Sequence, residues 1–409
     1  MQIFDAVVVG AGPAGLSAAG ELSRRGLVLL IEQGGPTSFR RREVPEEVLS
    51  GVGGAGLFSD GKHSFFPSAQ ALWTLPDREA LALAFSQTAA LLRRHGVEAG
   101  PLPASTTTTK PSAGTWHEKR YPALYAPFDR RLRCIEELLA QAQETWTKAR
   151  IVGARREGCL INVDIDRQGR QEQVSTRAVV VATGRWSPRW IRPWLEELGA
   201  AYAFGRVEFG VRLETAASAE LFALLPGVDG KLRFVDDDGT EFRTFCTCRQ
   251  GRVLLGRAGG LAAFSGHADG PPSGRSSVGL LVRSTSSSLG SELDRLLPAA
   301  VPRTLPLQAW RSGGAPHLAS VFGEQGAGLL WRALQHLLAW APALADDDDV
   351  LVHVPCIEGV GAYPVDDGSL QVAPGVWVVG DACGRFRGIV ASMISGRYAA
   401  ARLGRAEDA

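Results

Sequence analysis

The chain has 409 residues, 45% of them apolar, and 44 Lys and Arg nearly cancel 43 Asp and Glu to leave a net charge of +1. That length exceeds one ordinary core and points to two domains. The charge balance offers no basic face to nucleic acid or an anionic membrane, no apolar run approaches spanning length, and six scattered cysteines make no disulfide framework.

Residues 3–9 form an apolar run of strand length, which leaves no room for a signal peptide, so a cytoplasmic location is expected. Gly10-Ala11-Gly12-Pro13-Ala14-Gly15 follows, and Leu16, Ala19 and Leu22 give a helix running to Arg25. Gly10 suits a tight strand-to-helix turn. Gly12 lets a pyrophosphate reach the backbone at the helix N-terminus, where Pro13 and Ala14 begin and the macrodipole favours anions. Gly15 lets the helix lie close to the sheet. Residues 29–32 make a second strand ending in Glu32, 22 positions after Gly10, with Gln33 next. A carboxylate there accepts the ribose hydroxyls of an adenosine. The competing reading is a glycine turn in an unrelated α/β domain, which the terminal acid argues against.

A glycine-rich loop occupies 51–61, and helices are expected over 78–94 and 131–145. A strand at 149–155, a hairpin of 159–165 and 171–176, and an apolar strand at 178–182 then close on Thr183-Gly184. Runs at 106–109, 286–288 and 346–349 read as solvated loops, the last as a surface turn and not a metal site. From 190 to 349 the pattern changes to short strands (207–213, 232–235, 242–246, 252–255, 278–282) punctuated by helices near 217–225, 291–297 and 329–338. Gly256-Arg257-Ala258-Gly259-Gly260 imitates a second dinucleotide loop, but its spacing is wrong and no acid follows, so no dedicated NAD(P)H domain is expected. After a strand at 350–354, residues 376–379 form a buried strand ending in Gly380-Asp381, and Gly388-Ile389 opens a last helix.

The expected fold is α/β: a discontinuous Rossmann-type domain (1–190 and 350–409, with a helical and loop insert at about 68–125) carrying a mixed, β-rich α+β substrate domain (191–349). Asp381 can hydrogen-bond a ribityl hydroxyl or a phosphate-side water, and the helix N-terminus at Gly388 and Ile389 can stabilise negative charge at a flavin N1–C2=O2 edge. The alternatives are a turn role for Asp381 and a plain turn glycine at Gly388. Paired with residues 10–32, the segment says FAD.

Gly51-Val52-Gly53-Gly54-Ala55-Gly56-Leu57-Phe58-Ser59-Asp60-Gly61-Lys62 resembles the Gly-Gly-Ala-Gly…Ser-Asp-Gly-Lys loop of the bacterial family called FAD-dependent dehydrogenases. Residues 207–214 resemble that family's Gly-Val-Arg-x-Glu strand, residues 245–253 its Phe-Cys-x-Cys-Pro-Gly-Gly segment, and 380–390 its C-terminal flavin segment. The resemblance implies a glutathione-reductase-type FAD fold, with Gly54 and Ala55 beside the cofactor. Arg249-Gln250 replaces the usual Pro-Gly, and with the Rossmann strand starting at residue 3 the extra N-terminal domain of many members is not expected, departures compatible with a specialised biosynthetic branch.

Four residues are candidates for chemistry. Lys62 could meet the flavin N5 or N1–O2 region or activate oxygen, or be a solvated turn lysine. Ser59 could hydrogen-bond the ring, and His63 is an acid/base candidate unless it is structural. Arg212 could take a substrate carboxylate, or pair with Glu208 or Glu214. His267, Arg385 and Arg387 are weaker candidates. Cys246 and Cys248, one residue apart, are expected on one face of a strand, as buried packing. The expected activity is an FAD-dependent oxidoreductase moving hydride at flavin N5 on a small organic substrate. Its electron partner is open between O2 and NAD(P)H, and neither nucleic acid nor membrane is a partner. An O2-using monooxygenase and an electron-transfer or accessory flavoprotein are the alternatives.

Overall fold

The computed structural model describes residues 2–104, 113–225, 227–313 and 315–407; the threonine run at 106–109 lies outside them. Two sheets organise the chain. In the first, strands Val376–Val378, Arg170–Val181, Ile3–Val9, Val28–Glu32 and Glu144–Thr147 lie side by side, all parallel. Val7 sits between Leu29 and Val179, and these near-continuous apolar runs are buried on both faces, as a central parallel sheet requires. Helix Pro13–Leu22 packs on the C-terminal helix Ile389–Glu407, which also meets helix Arg78–Arg94. An antiparallel pair, Ala149–Glu157 and Leu160–Arg167, continues the sheet onto Arg170–Val181. The two strands expected at 171–176 and 178–182 are thus one unbroken strand.

Gly10 explains the tightness of the first turn. Its φ is +101°, and a Cβ there would lie 2.6 Å from Ala182 O; a Cβ on Gly15 would lie 1.8 Å from Gly10 O. Only glycine lets this strand, turn and helix close on each other.

The second sheet is antiparallel, in the order Arg303–Pro306, Leu351–Pro364, Tyr202–Ala216, Arg275–Ser284, Glu241–Cys248, Leu232–Val235, His117–Glu118. Two of its strands come from segments assigned by sequence to the FAD-binding domain, 117–118 from the insert and 351–364 from the C-terminal part. The chain returns to the first sheet only after Pro364. Alternation sorts this sheet's faces. Val207, Phe209, Val211 and Leu213, with Val278, Leu280 and Val282, and with Leu232, Phe234 and Phe242, form a core that includes buried residues of helix Ala315–Trp340. The residues between them look the other way, toward the first domain. No helix among the described residues is long and apolar enough to cross a membrane.

The Gly256–Gly260 run is the end of an antiparallel hairpin, Arg252–Ala258 with Leu261–His267, whose two-residue turn has Gly259 and Gly260 at φ +56° and +77°. Strand-turn-strand replaces the strand-turn-helix that a dinucleotide loop needs.

Candidate functional site

A cavity of about 540 Å³ lies where the two sheets meet. Of the cofactor candidates, Gly10, Gly12, Pro13, Ala14, Glu32, Gln33, Gly54, Ala55, Thr183, Gly184, Gly380, Asp381, Gly388 and Ile389 line it. Gly15 does not; its work is the close packing described above.

Backbone forms most of this wall. Gly12 stands at the start of helix Pro13–Leu22 with extended dihedrals and no side-chain cap, so the first helical N–H groups are left for a ligand. A Cβ on Gly12 would meet only Gly54 Cα, at 3.9 Å, whereas one on Gly54 would come within 2.9 Å of Gly12 Cα. The two glycines therefore shape one smooth cradle. Gly53 N–H donates to Ala11 O at 2.8 Å and holds the loop there. Buried Arg40, which sequence reasoning missed, clamps the same loop: its guanidinium donates to the carbonyls of Glu47, Val48, Val52 and Gly54 at 2.7–3.1 Å. No local pattern signals an arginine reach of this kind.

Glu32 is buried, and its carboxylate accepts from Ala11 N at 2.8 Å, Gly34 N at 2.8 Å and Gly51 N at 2.9 Å. A carboxylate has about four acceptor positions, so capacity remains for one ribose hydroxyl and not the pair expected. Asp381 supplies the clearest fit. Its Oδ2 accepts from Arg387 at 3.2 Å and Arg185 at 3.4 Å, while its Oδ1 is buried with no partner among the described residues. A hydroxyl donor, such as one on a ribityl chain, would satisfy that orphaned acceptor. Gly388, at φ +102° with nothing within 4 Å of a Cβ, leaves open space before the C-terminal helix.

The catalytic candidates separate. Lys62 lines the cavity, but its ammonium is spent on Asp60 Oδ2 at 2.8 Å, Asp229 Oδ1 at 2.6 Å and Thr247 O at 2.8 Å. Three partners use all three donors. Burial works against its charge, yet Asp60 and Asp229 outweigh burial and hold Lys62 above its ordinary range. Neither flavin nor oxygen finds a free N–H on it. Instead, Asp60 and Lys62 staple the glycine loop to the second sheet. Ser59 also lines the cavity, where its hydroxyl donates to Gly56 O at 2.9 Å and accepts from Gly61 N at 3.2 Å as a turn brace. His63 lies off the cavity wall, buried against Gly61 O, with burial pushing it down to about 4. Arg212 is also away from the wall: it bonds Ser277 Oγ at 2.9 Å and Cys246 O at 2.7 Å, and pairs with neither glutamate. These two are structural, because alternation turns them into the packing behind the wall.

The cysteines part company at a bulge. The pairing shifts register between Phe245 and Cys248, and Cys246 adopts φ +52°. Cys246 lines the cavity and donates to Asp60 Oδ2 at 2.7 Å, while Cys248 is buried away from it. Burial and Asp60 raise the Cys246 thiol above its ordinary range, so it stays neutral. Its partner carboxylate belongs to a buried chain in which Tyr121 Oη donates to Asp229 Oδ2 at 2.6 Å.

Two groups of wall residues were read only in part in the sequence, which offered His267, Arg385 and Arg387 as weaker candidates without their partners. Ser265 and His267 line the cavity as a pair: Ser265 Oγ lies 2.7 Å from His267 Nε2, and His267 Nδ1 faces Phe58 O. A carbonyl only accepts, so Nδ1 carries the proton and Nε2 is the acceptor. Burial lowers this imidazole to about 4 and keeps it neutral. Across from it, fully buried Glu208 accepts from four guanidiniums, Arg206 and Arg283 at 2.7 Å and Arg243 and Arg387 at 2.8 Å. Burial pushes this carboxyl up, but the arginines, Arg243 foremost, reverse that and hold it well below the usual range. The signal was present as basic residues at alternate positions, Lys231 and Arg233, Arg243, and Arg283, in strands whose adjacency no short window reveals.

Residues 5–41 match the family described as FAD binding domain. No curated protein matches the chain at a significant level. Among solved structures, AlpK is similar at 14% identity and a TM-score of 0.43, over 96% of this chain and 60% of that one. A geranylgeranyl bacteriochlorophyll reductase-like protein from Thermoplasma acidophilum is similar at 15% and 0.42, over 100% and 79%. The anhydrotetracycline hydroxylase OxyS from Streptomyces rimosus is similar at 16% and 0.38, over 93% and 57%. The chain thus spans about three fifths of the length of AlpK and OxyS. With the glycine cradle, Glu32 and the orphaned Asp381 oxygen, the family match identifies the cofactor of this Rossmann-type fold as FAD.

Proposed function

We propose that the protein oxidises or reduces a small organic substrate by hydride exchange with flavin N5. The observation that carries this reading is the shared cavity, into which the Gly10–Ala14 turn and the Asp381–Gly388 segment open beside a charged wall from the second sheet. Bound FAD supplies the two-electron carrier. The free N–H groups after Gly12 would hold its pyrophosphate, Glu32 a ribose hydroxyl, and Asp381 Oδ1 the ribityl chain. The helix N-terminus at Ile389 favours negative charge on the ring's carbonyl edge.

A hydride step on an alcohol or amine also moves a proton, and Ser265 with His267 is the pair placed to hold it. Phe58 O keeps the imidazole in the Nδ1–H tautomer, so Nε2 takes the proton that Ser265 relays. Enclosure of these groups in a cavity favours an enzyme over a flat electron-transfer surface. The monooxygenase reading loses the cation first offered for oxygen activation, since every Lys62 donor is engaged.

The test is anaerobic mixing of FAD-loaded protein with alcohols and amines. A substrate that bleaches the flavin band near roughly 450 nm with neither oxygen nor pyridine nucleotide supports the reading. Product formed only when NAD(P)H and O2 are both present overturns it in favour of hydroxylation. NADPH alone is expected to reduce the flavin more slowly than about 10 per second, a typical turnover.

A further inference from the structure

We propose that the wall formed by Lys119, Lys231, Arg233, Arg243 and Arg283 is a binding subsite for an organic carboxylate, the acidic group of the substrate. The inference rests on the reading of the cavity as the flavin's reaction chamber and names the class of molecule admitted to it.

The wall follows from alternation. Leu232, Phe234, Phe242 and Val282 point into the second core, so Lys231, Arg233, Arg243 and Arg283 point into the cavity, where Lys119 joins them from the neighbouring edge strand. Three carboxylates answer these cations. Glu241 takes Arg233 at 2.7 Å and Arg283 at 3.6 Å, Asp229 takes Lys231 at 3.0 Å, and Glu208 takes Arg243 and Arg283. Each of the last two is shared further, Asp229 with Lys62 and Glu208 with two more arginines. Lys119 makes no ion pair among the described residues, and Arg243 Nε is buried without a partner.

The wall therefore carries surplus positive charge on half-buried side chains, where solvent screens it less than at an open surface. Lys119 registers the surplus: burial first, then Lys231, Arg233, Arg243 and Arg283, bring its ammonium down to about 8. A carboxylate facing Lys119 and the Arg243 fork restores the balance with charge-assisted hydrogen bonds. Phe245, which lines the cavity with Lys231 4.8 Å and Arg243 4.9 Å from its ring centre, offers the apolar body of such a molecule a surface. The pyrophosphate of FAD is a separate matter, since its cradle is backbone at Gly12 and Gly54 on the first domain.

Calorimetric titration of the purified protein with benzoate, its neutral counterpart benzamide, and inorganic phosphate tests this, with flavin content measured on the same sample. Benzoate is expected to bind, benzamide and phosphate to bind at least about tenfold more weakly, and Lys119→Met to lose about tenfold in benzoate affinity with unchanged flavin content. Lys119→Arg should restore binding. Equal binding of benzoate and benzamide, no effect of Lys119→Met, or loss of flavin from that variant would each overturn the inference; the last would assign the wall to the cofactor. Preference for phosphate would overturn the carboxylate assignment. Protein that binds benzoate but never FAD would sink the proposed function and leave this subsite standing.

Discussion

The two walls of the cavity are built on opposite principles. The first-domain wall is mostly backbone: glycines and helix N-termini, with two carboxylates, Glu32 and Asp381, that each keep an acceptor position open. The second-sheet wall is side chain: long cations sharing too few acids around buried Glu208. A cofactor of constant shape can be met by main chain, which varies little with sequence, whereas a substrate is chosen by groups that reach. A change in the first wall should act on flavin retention, and a change in the second on stability or on substrate.

The largest effect expected from this contrast is at Gly12. Gly12→Trp points its ring into the cavity, where a Cβ meets only Gly54 Cα at 3.9 Å, so flavin retention is abolished while the fold survives. Gly10→Ala, whose Cβ would lie 2.6 Å from Ala182 O at φ +101°, should instead lower soluble yield and melting temperature. Flavin content and thermal melting of both variants separate cradle from scaffold. Next comes Glu208→Gln, which strands four guanidiniums in a buried site. A loss of about 3–5 kcal/mol is expected in denaturant unfolding; a neutral result would show that the cluster is hydrated and not held by its acid.

Asp381→Asn should weaken FAD by roughly tenfold to a hundredfold, the worth of a charge-assisted bond, in a dialysis titration of flavin-free protein. Unchanged affinity would remove Asp381 from the cofactor's contacts. A last effect, spread over a range of pH and not tied to one variant, is on stability. His63 and His267 are held at about 4 against the ordinary 6.5, so between those values the unfolded chain binds protons that the folded chain refuses. Stability should therefore fall as pH drops from about 6.5 to about 4, by up to about 1.4 kcal/mol per pH unit for each histidine. His63→Gln should halve that slope without touching flavin content.

The first wall was legible in the sequence because its rules are local. Gly10, Gly12 and Glu32 sit at spacings that a strand, a turn and a helix dictate, and Gly388 and Asp381 follow the same logic. The second wall was not legible, because Lys119, Lys231, Arg243 and Arg283 converge only through strand pairing across more than a hundred residues. The same ignorance of partners misled the reading of Lys62, which looked free beside Ser59 and Asp60 until Asp229 arrived from the other domain. His63 and Arg212 were plausible by chemistry and excluded by facing. The bulge at Cys246 reversed a face that simple alternation had set. Strand membership of 351–364 was hidden too, since a short apolar run reads alike in either sheet.

The central claim is that residues from both ends of the chain clasp a single flavin, and its most direct measurement is the nucleotide content of the purified protein. Denaturation should release yellow FAD in proportion to the chain, and reconstitution should return it to the wild type but not to Gly12→Trp. Colourless protein that releases no nucleotide and takes up none when FAD is supplied would contradict the account.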